Sequence, residues 1–518
     1  MNITPKSKQI CLKLWPMSLA IAFAIVAWVR LVVNNSDLLI EAQDQSSWQS
    51  GSLFFAQMTQ QPGGILSWAG RFLTQFFFYP ALGAGILIVL WLAIYALWLL
   101  ALRPVWYLKW AALLVPTMLL WSETALGYAI YSSKIPDWWF TPTLFCLIVS
   151  LLMAATLPLR RCKMGFVAPY VVMVLAIIPA TDWMEEAEVP EPMRVPFHTA
   201  AVDERFQAEI RTERALENGE WSAALNEVRR LKMPPTRSLW IMKNIALLNE
   251  KRLAEDWLQY PCLTTQPSFN DSIGVPMVFS SGPLIYFMHG SVDFAYRWSV
   301  ENAVEYGFSV KRLRLLTRCA LVNGEWDLAE RYLNQLSRTT FYGIWAEEQR
   351  KLIGHPEQIV ARPENRLAVL ISDSRPNQLD GDNGMVETYL INAYAQNGPH
   401  FCAELSELGL VYAMQSQDIA LFWPAFFDFV NHQRKGRPMP TVVQEAAYLY
   451  IQLEPATAPR RDFPFDQHVV DRYRNFSART QQLMHQGCKQ EAIAQATQRE
   501  FGKSFYWFYF FCRNQNTY

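Results

Sequence analysis

Three carboxylates, Asp37, Glu41 and Asp44, stand just beyond the first apolar stretch of the chain, and a fourth, Glu123, falls in or beside a later one. Carboxylates act as general bases or as contacts to a hard metal ion, so these four are the candidates for chemistry. A carboxylate inside a membrane span is costly and is often functional, whereas one at the interface is ordinary. Carboxylates in an outer loop are likewise expected from charge distribution alone, and no catalytic residue is assigned beyond these candidates.

The other reactive residue types form no constellation. His198, His289, His355, His400, His432, His468 and His485 lack the spacing that sets two ligands on one helix face, so no metal site is assigned. Cys262, Cys319, Cys402, Cys488 and Cys512 fall in the polar part of the chain, without paired metal or redox spacing. Their number is odd, so at least one stays a thiol or pairs between chains. Cys488 and Cys512 are placed to bridge a helical hairpin, although buried thiols are the more expected state. There is no phosphate-binding Walker loop, no Gly-x-Ser-x-Gly elbow and no dinucleotide fingerprint. No cofactor is implied, and soluble-enzyme readings lose ground. The 46 basic residues balance the 46 acidic ones, so nucleic acid is not an expected partner.

The elements that must position these residues change character along the chain. Between Leu12 and Ala180 lie five apolar stretches near the length that crosses a bilayer, at about 14–33, 82–102, 105–121, 142–159 and 165–180. The third contains Lys109 and Pro116, and an alternative register reaching Tyr131 puts Glu123 inside the helix. Lys6, Lys8 and Lys13 before the first span, Arg103 and Lys109 between the second and third, and Arg160, Arg161 and Lys163 between the fourth and fifth fall in alternate loops, which places those loops and the N-terminus in the cytoplasm and the carboxyl half outside it. The basic start and small residues of the first span match a cleavable signal; its long apolar core and Arg30 favour a retained anchor. The 20 tryptophans suit rings at head-group level. After Pro62-Gly63-Gly64, residues 65–79 carry one apolar and one polar face, which predicts a helix lying in the membrane interface or packed on its neighbours.

From about residue 199 the chain turns polar and helix-patterned. Ala215-Leu216-Glu217-Asn218-Gly219-Glu220-Trp221-Ser222-Ala223-Ala224 recurs 105 residues later as Ala320-Leu321-Val322-Asn323-Gly324-Glu325-Trp326-Asp327-Leu328-Ala329. A third copy around Gly487 keeps the glycine and Ala492. Glycine ends one helix in a left-handed conformation, the aromatic packs beneath the turn, and the small alanine lets two helices approach. This resembles the turn of tetratricopeptide-like repeats, whose stacked helix pairs form a solenoid. The expected fold is therefore all-α: a transmembrane bundle over 1–181, a linker over 182–198, and a degenerate TPR-like α-solenoid over 199–518. The aromatic run Phe505–Phe511 is expected to cap the solenoid core.

Three stretches carry a wider resemblance: Pro62-Gly63-Gly64 through Phe72-Leu73-Thr74-Gln75-Phe76-Phe77-Phe78-Tyr79-Pro80; Gln444-Glu445-Ala446-Ala447-Tyr448-Leu449-Tyr450; and Phe501-Gly502-Lys503-Ser504-Phe505-Tyr506-Trp507-Phe508-Tyr509. With them the chain resembles an uncharacterised Bacteroidota family of multi-spanning membrane proteins. That family has no established activity, so it transfers no catalytic residue; it implies an inner-membrane protein of a Gram-negative cell with its helical domain in the periplasm. The order of acidic outer loop and interfacial helix also looks like that of multi-spanning glycosyltransferases using lipid-linked sugars, in which an outer-loop carboxylate is base or metal contact. Such enzymes usually have more than five spans.

Two functions follow as expectations. The first is a membrane-anchored scaffold whose repeats hold a periplasmic protein or peptide. The second is a membrane enzyme or accessory subunit acting on lipid-linked glycans, with Asp37, Glu41 or Asp44 near the reaction. Transport needs a polar path that the spans lack.

Overall fold

The computed structural model describes residues 5–60, 63–102, 106–125, 139–161, 167–176, 204–261, 281–372, 390, 394–395, 402–433, 436–455, 459 and 463–512. Among these residues the secondary structure is helical, with no strand. The chain packs as two compact units, Met1–Asp203 with Tyr296–Pro356, and Glu204–Ala295 with Glu357–Tyr518. The linker expected at 182–198 lies outside the described residues.

Among the described residues of the first unit, three helices are long and apolar enough to cross a membrane: Trp15–Val33, Pro80–Leu102 and Thr141–Leu159. The described residues thus contain three candidate spans, not the five expected. The stretch at 105–121 breaks into a tight 3-10 segment, Trp106–Leu113, and the helix Leu114–Ala125. Among the described residues its apolar helix is Lys109–Trp121. Of 165–180, only the short helix Ala168–Leu175 is described.

Side-chain pairing sets the helix directions. Tyr95 donates to the Pro16 carbonyl at 3.4 Å and Phe23 meets Trp91 at 6.0 Å, so the first two long helices are antiparallel. The indoles of Trp91 and Trp98 donate to Thr143 and Ser150 at 3.0 and 2.9 Å, advancing seven residues on both helices, so the second and third run parallel. Thr143 and Ser150 also donate to the carbonyls of Trp139 and Cys146 one turn back. Every polar atom of these pairs is thereby bonded, as an apolar environment demands. The outer faces stay apolar and exposed, as at Met17, Ile21, Ile25, Val89 and Leu152.

The expected helix 65–79 is shorter than its hydropathy pattern. An α-helix covers Gly64–Thr74, a 3-10 turn covers Gln75–Phe78, and Tyr79 is extended. Pro80 causes this, because the ring of a proline drives the preceding residue out of the helical region. Gly63 turns the chain with φ 73°, and Gly70 lets the helix touch Thr141: a β-carbon there would stand 2.1 Å from the threonine hydroxyl.

The polar helices Val310–Val322 and Trp326–Leu336 form an antiparallel hairpin in this same unit. Its turn glycine, Gly324, has φ 71°, and Trp326 lies 3.7 Å from where a β-carbon would be. Ala329 is buried between the two helices.

The second unit contains the matching hairpin Glu204–Glu217 and Trp221–Arg230, with Gly219 at φ 71°, Trp221 over it and Ala224 buried. Gly487 also has φ 78°, but Ala492 is exposed and Ile493 is buried instead. The reason is register: the helix after Gly487 begins at Gln490, one residue later than those after Gly219 and Gly324, which rotates each following position by about 100°. At the centre, Arg237–Asn249 and Ala403–Gln415 are buried along almost their whole lengths and joined by Asn244 and Gln415 at 3.1 Å. The run Phe505–Phe511 packs into this core, with Phe508 stacked on Trp240 and edge-on to Trp257. Ser504 accepts the Trp507 amide and starts the helix.

Candidate functional site

The acidic residues do not stand in a solvated loop. They lie on a helix, Ser36–Gln45, that follows the first long helix after a two-residue corner, with Asp37 in its first turn where the helix dipole favours a negative charge. Glu41 and Asp44 are buried against the first two turns of Val310–Val322. Glu41 receives Lys311 Nζ at 3.0 Å and the Gln45 amide at 2.7 Å. Asp44 faces Arg314 at 3.8 Å and accepts the Tyr342 hydroxyl.

Tyr342 has one phenolic hydrogen and two neighbours, Asp44 and, at 3.0 Å, the side-chain amide of Gln43. The charged carboxylate takes the hydrogen, which is the stronger bond. The Gln43 amide then turns so that its NH₂ donates to the phenol oxygen, satisfying a nitrogen otherwise buried without an acceptor. Its carbonyl is left, the less costly group to leave unbonded.

Backbone and ring contacts complete the junction. Ser46 O accepts from Val310 N at 3.3 Å, Ser47 donates to the Phe308 carbonyl at 2.7 Å, and Gln75 donates to Ser46 at 3.2 Å. Phe341 stacks on Phe78 at 5.0 Å and meets Phe76 and Tyr79 edge-on, at the head of the Pro80–Leu102 helix. Arg314 lies over Tyr342 and Trp345, 5.7 Å from each ring. Burial lowers the Arg312 guanidinium to about 10, opposed by Tyr306, Glu41 and Glu305, so it stays charged at neutral pH. The cluster pairs carboxylates with cations inside a helix contact. Glu41 is held by an ammonium and a side-chain amide, and Asp44 by a guanidinium and a phenol, so both are engaged within the protein.

Among the described residues no group of three His, Cys, Asp or Glu side chains is arranged to hold a metal ion. Glu123 lies on the Leu114–Ala125 helix, and its side chain is outside the described residues. Cys402 and Cys488 carry thiols, so the Cys488–Cys512 bridge is not formed; Cys262, His198 and His400 lie outside the described residues. Sequence reasoning missed Lys311, Arg314 and Tyr342. The basic run Lys311-Arg312-Leu313-Arg314 is a visible signal in the sequence, a charge complement to the acidic helix.

In the second unit several buried polar groups are bonded to one another. His289 Nδ1 lies 2.8 Å from the Ile285 carbonyl, which can only accept, so that nitrogen carries the proton; Nε2, at 2.6 Å, then accepts from Tyr412. Burial pushes the Tyr412 phenol well up and keeps it a donor. Glu209 accepts from Thr236 and Ser281. Glu445 accepts from Arg472 at 3.0 Å and from the Phe505 amide at 2.8 Å, and burial pushes its carboxyl up to about 7.

The chain matches a family described as "Family of unknown function (DUF6057)" over residues 12–176 and 124–513, from the first long helix to the C-terminal aromatic helix. The chain belongs to DUF6057. No curated protein and no solved structure matches it. Two of the stretches quoted above meet in this DUF6057 protein through Glu445 and Phe505, and Tyr450 touches Phe505 and Tyr509 at 5.6 and 5.7 Å. The third, Pro62–Pro80, supplies the aromatic seat of Phe341. They are packing motifs at two separate places.

Proposed function

We propose that the chain is a membrane-anchored helical scaffold of the cell envelope, whose extramembrane helices hold a protein or peptide. The observation that carries this reading is the junction itself. Glu41 and Asp44, the residues an enzyme reading needs at a reacting sugar, are engaged by Lys311, Arg314 and Tyr342 where the Val310–Leu336 hairpin meets the membrane helices. A rigid mount of this kind serves presentation of a binding surface. The glycine-ended hairpins at Gly219 and Gly324 support tetratricopeptide-like repeats as the binding element.

We further propose the inner membrane of a Gram-negative cell, with the N-terminus cytoplasmic and the helical domain periplasmic. The basic residues before the first long helix and around Arg160 support that orientation. More than three crossings are supported by helix direction: the second and third long helices run parallel, so the residues between them, which include the apolar helix Lys109–Trp121, return the chain to its starting side.

Charge reversal in a strain lacking the gene separates the readings. Glu41→Lys and Lys311→Glu should each lose function, and the double swap should regain it, because a structural pair needs only opposite signs. A double swap that folds and inserts normally yet stays inactive refutes the scaffold reading in favour of Glu41 at a reaction centre. A reporter fused after Tyr518 and active only in the cytoplasm refutes the orientation.

A further inference from the structure

The Val310–Leu336 hairpin has two ends. One is the tight turn at Gly324; the other is open, where the first helix starts after Phe308 and the second runs out toward Phe341. The open end meets the membrane helices: Ser47 bonds the Phe308 carbonyl, and Phe341 stacks on Phe78 and touches Tyr79. Tyr79 is 56% exposed and stands immediately before the membrane-crossing helix Pro80–Leu102, the position of the aromatic belt at a bilayer surface. Phe341 is therefore at head-group depth.

Ile344 follows three residues later and is 78% exposed, and Phe308 is 45% exposed on the same end. Three residues span at most about 11 Å of chain, no more than the depth to which interfacial helices bury their apolar faces by much. Leu53, Phe55 and Ile65, on the two short helices Ser52–Thr59 and Gly64–Thr74 beside the span ends, are exposed as well. Arg338, also exposed, sits three residues before Phe341, where a long cationic side chain reaches lipid phosphates.

We propose that the open end of this hairpin is a lipid-contacting surface: Phe308 and Ile344 enter the head-group layer of the leaflet that holds Tyr79, and the Gly324 turn points away from it. The inference rests on the reading that Pro80–Leu102 crosses the bilayer. Its occupant is the lipid surface, because this end of the hairpin meets Phe78 and Tyr79 at the start of Pro80–Leu102, a helix whose outer residues Leu82 and Val89 are apolar and exposed.

The test is depth-resolved quenching of the full chain in phosphatidylcholine nanodiscs. A fluorescent amino acid is placed singly at Phe308, Ile344, Asn323 and Val89, and acyl chains carry a nitroxide either near the head group or deep in the leaflet. The shallow nitroxide should quench positions 308 and 344 several-fold more than Asn323, which is exposed beside the distal turn. Val89, 65% exposed in mid-span, should be quenched by the deep one. If Val89 is quenched but 308 and 344 match Asn323, the lipid contact is overturned while the span stands. If Val89 is not quenched, the membrane reading falls first. Two independent positions guard against a single substitution that disturbs folding.

Discussion

The ammonium of Lys311 lies 3.0 Å from the carboxylate of Glu41, 270 residues earlier in the chain. The pair is nearly closed to water and ties the helix after the first long apolar helix to the first turn of a polar hairpin. Breaking a buried pair from one side strands the other charge, whereas removing both does not. Lys311→Met should therefore cost about 3 kcal/mol of stability. The double variant Glu41→Met, Lys311→Met should recover most of that in a denaturation cycle in detergent. Additive losses would mean that the two residues do not interact.

Tyr342 tests the neighbouring carboxylate. Tyr342→Phe keeps the ring against Phe78 and removes only the hydroxyl that Asp44 accepts. The expected loss is about 1–3 kcal/mol, the cost of leaving a buried acceptor short of a donor. Pairing it with Asp44→Asn should reduce the loss. A silent Tyr342→Phe would mean that the ring alone matters.

The second unit should be pH-sensitive through Glu445. Its carboxyl is pushed by burial to about 7, above the ordinary value of 4.5, and Arg472 and the Phe505 amide pull it down only in part. Between those values the folded chain holds a proton that the unfolded chain releases, so folding gains stability at low pH and loses it as pH rises through about 7. Urea midpoints followed from pH 5 to 8 should fall for the parent protein, and Glu445→Gln should flatten that fall. An unchanged slope in the variant would assign the pH dependence elsewhere.

Two glycine-to-alanine changes should differ in kind. At Gly324 a β-carbon meets only Trp326 at 3.7 Å, so the penalty is the left-handed backbone, about 1 kcal/mol. At Gly70 it would stand 2.1 Å from the Thr141 hydroxyl, forcing two helices apart at a cost of about 1–3 kcal/mol. Gly70→Ala with Thr141→Ala should recover part of the loss. Equal effects at the two glycines, unmoved by the second change, would contradict the close approach.

Some of this architecture is written locally. The apolar segments Trp15–Val33, Pro80–Leu102 and Thr141–Leu159 lie within two residues of the runs read from the sequence, although the first helix itself starts at Pro5. The left-handed turns at Gly219, Gly324 and Gly487 were legible too, since a missing β-carbon acts on its own backbone. The stretch expected at 105–121 winds as a 3-10 segment, Trp106–Leu113, that runs into the helix Leu114–Ala125, a change of winding that hydropathy does not encode. Ala492 was misassigned because spacing from a glycine says nothing of a one-residue delay in the helix that follows.

The sequence by itself determined which segments are apolar enough for a membrane, which turns need glycine and that the chain is helical, because each depends on neighbours a few residues apart. Only the tertiary structure decided that Asp44 answers to Tyr342 and Glu41 to Lys311, and that Glu445 sits under Phe505. A carboxylate in a sequence carries the same charge whether it faces water, a substrate or an ammonium. Its role is set by what the fold brings within hydrogen-bond reach and by how much water the fold removes, and both come from residues distant in the sequence.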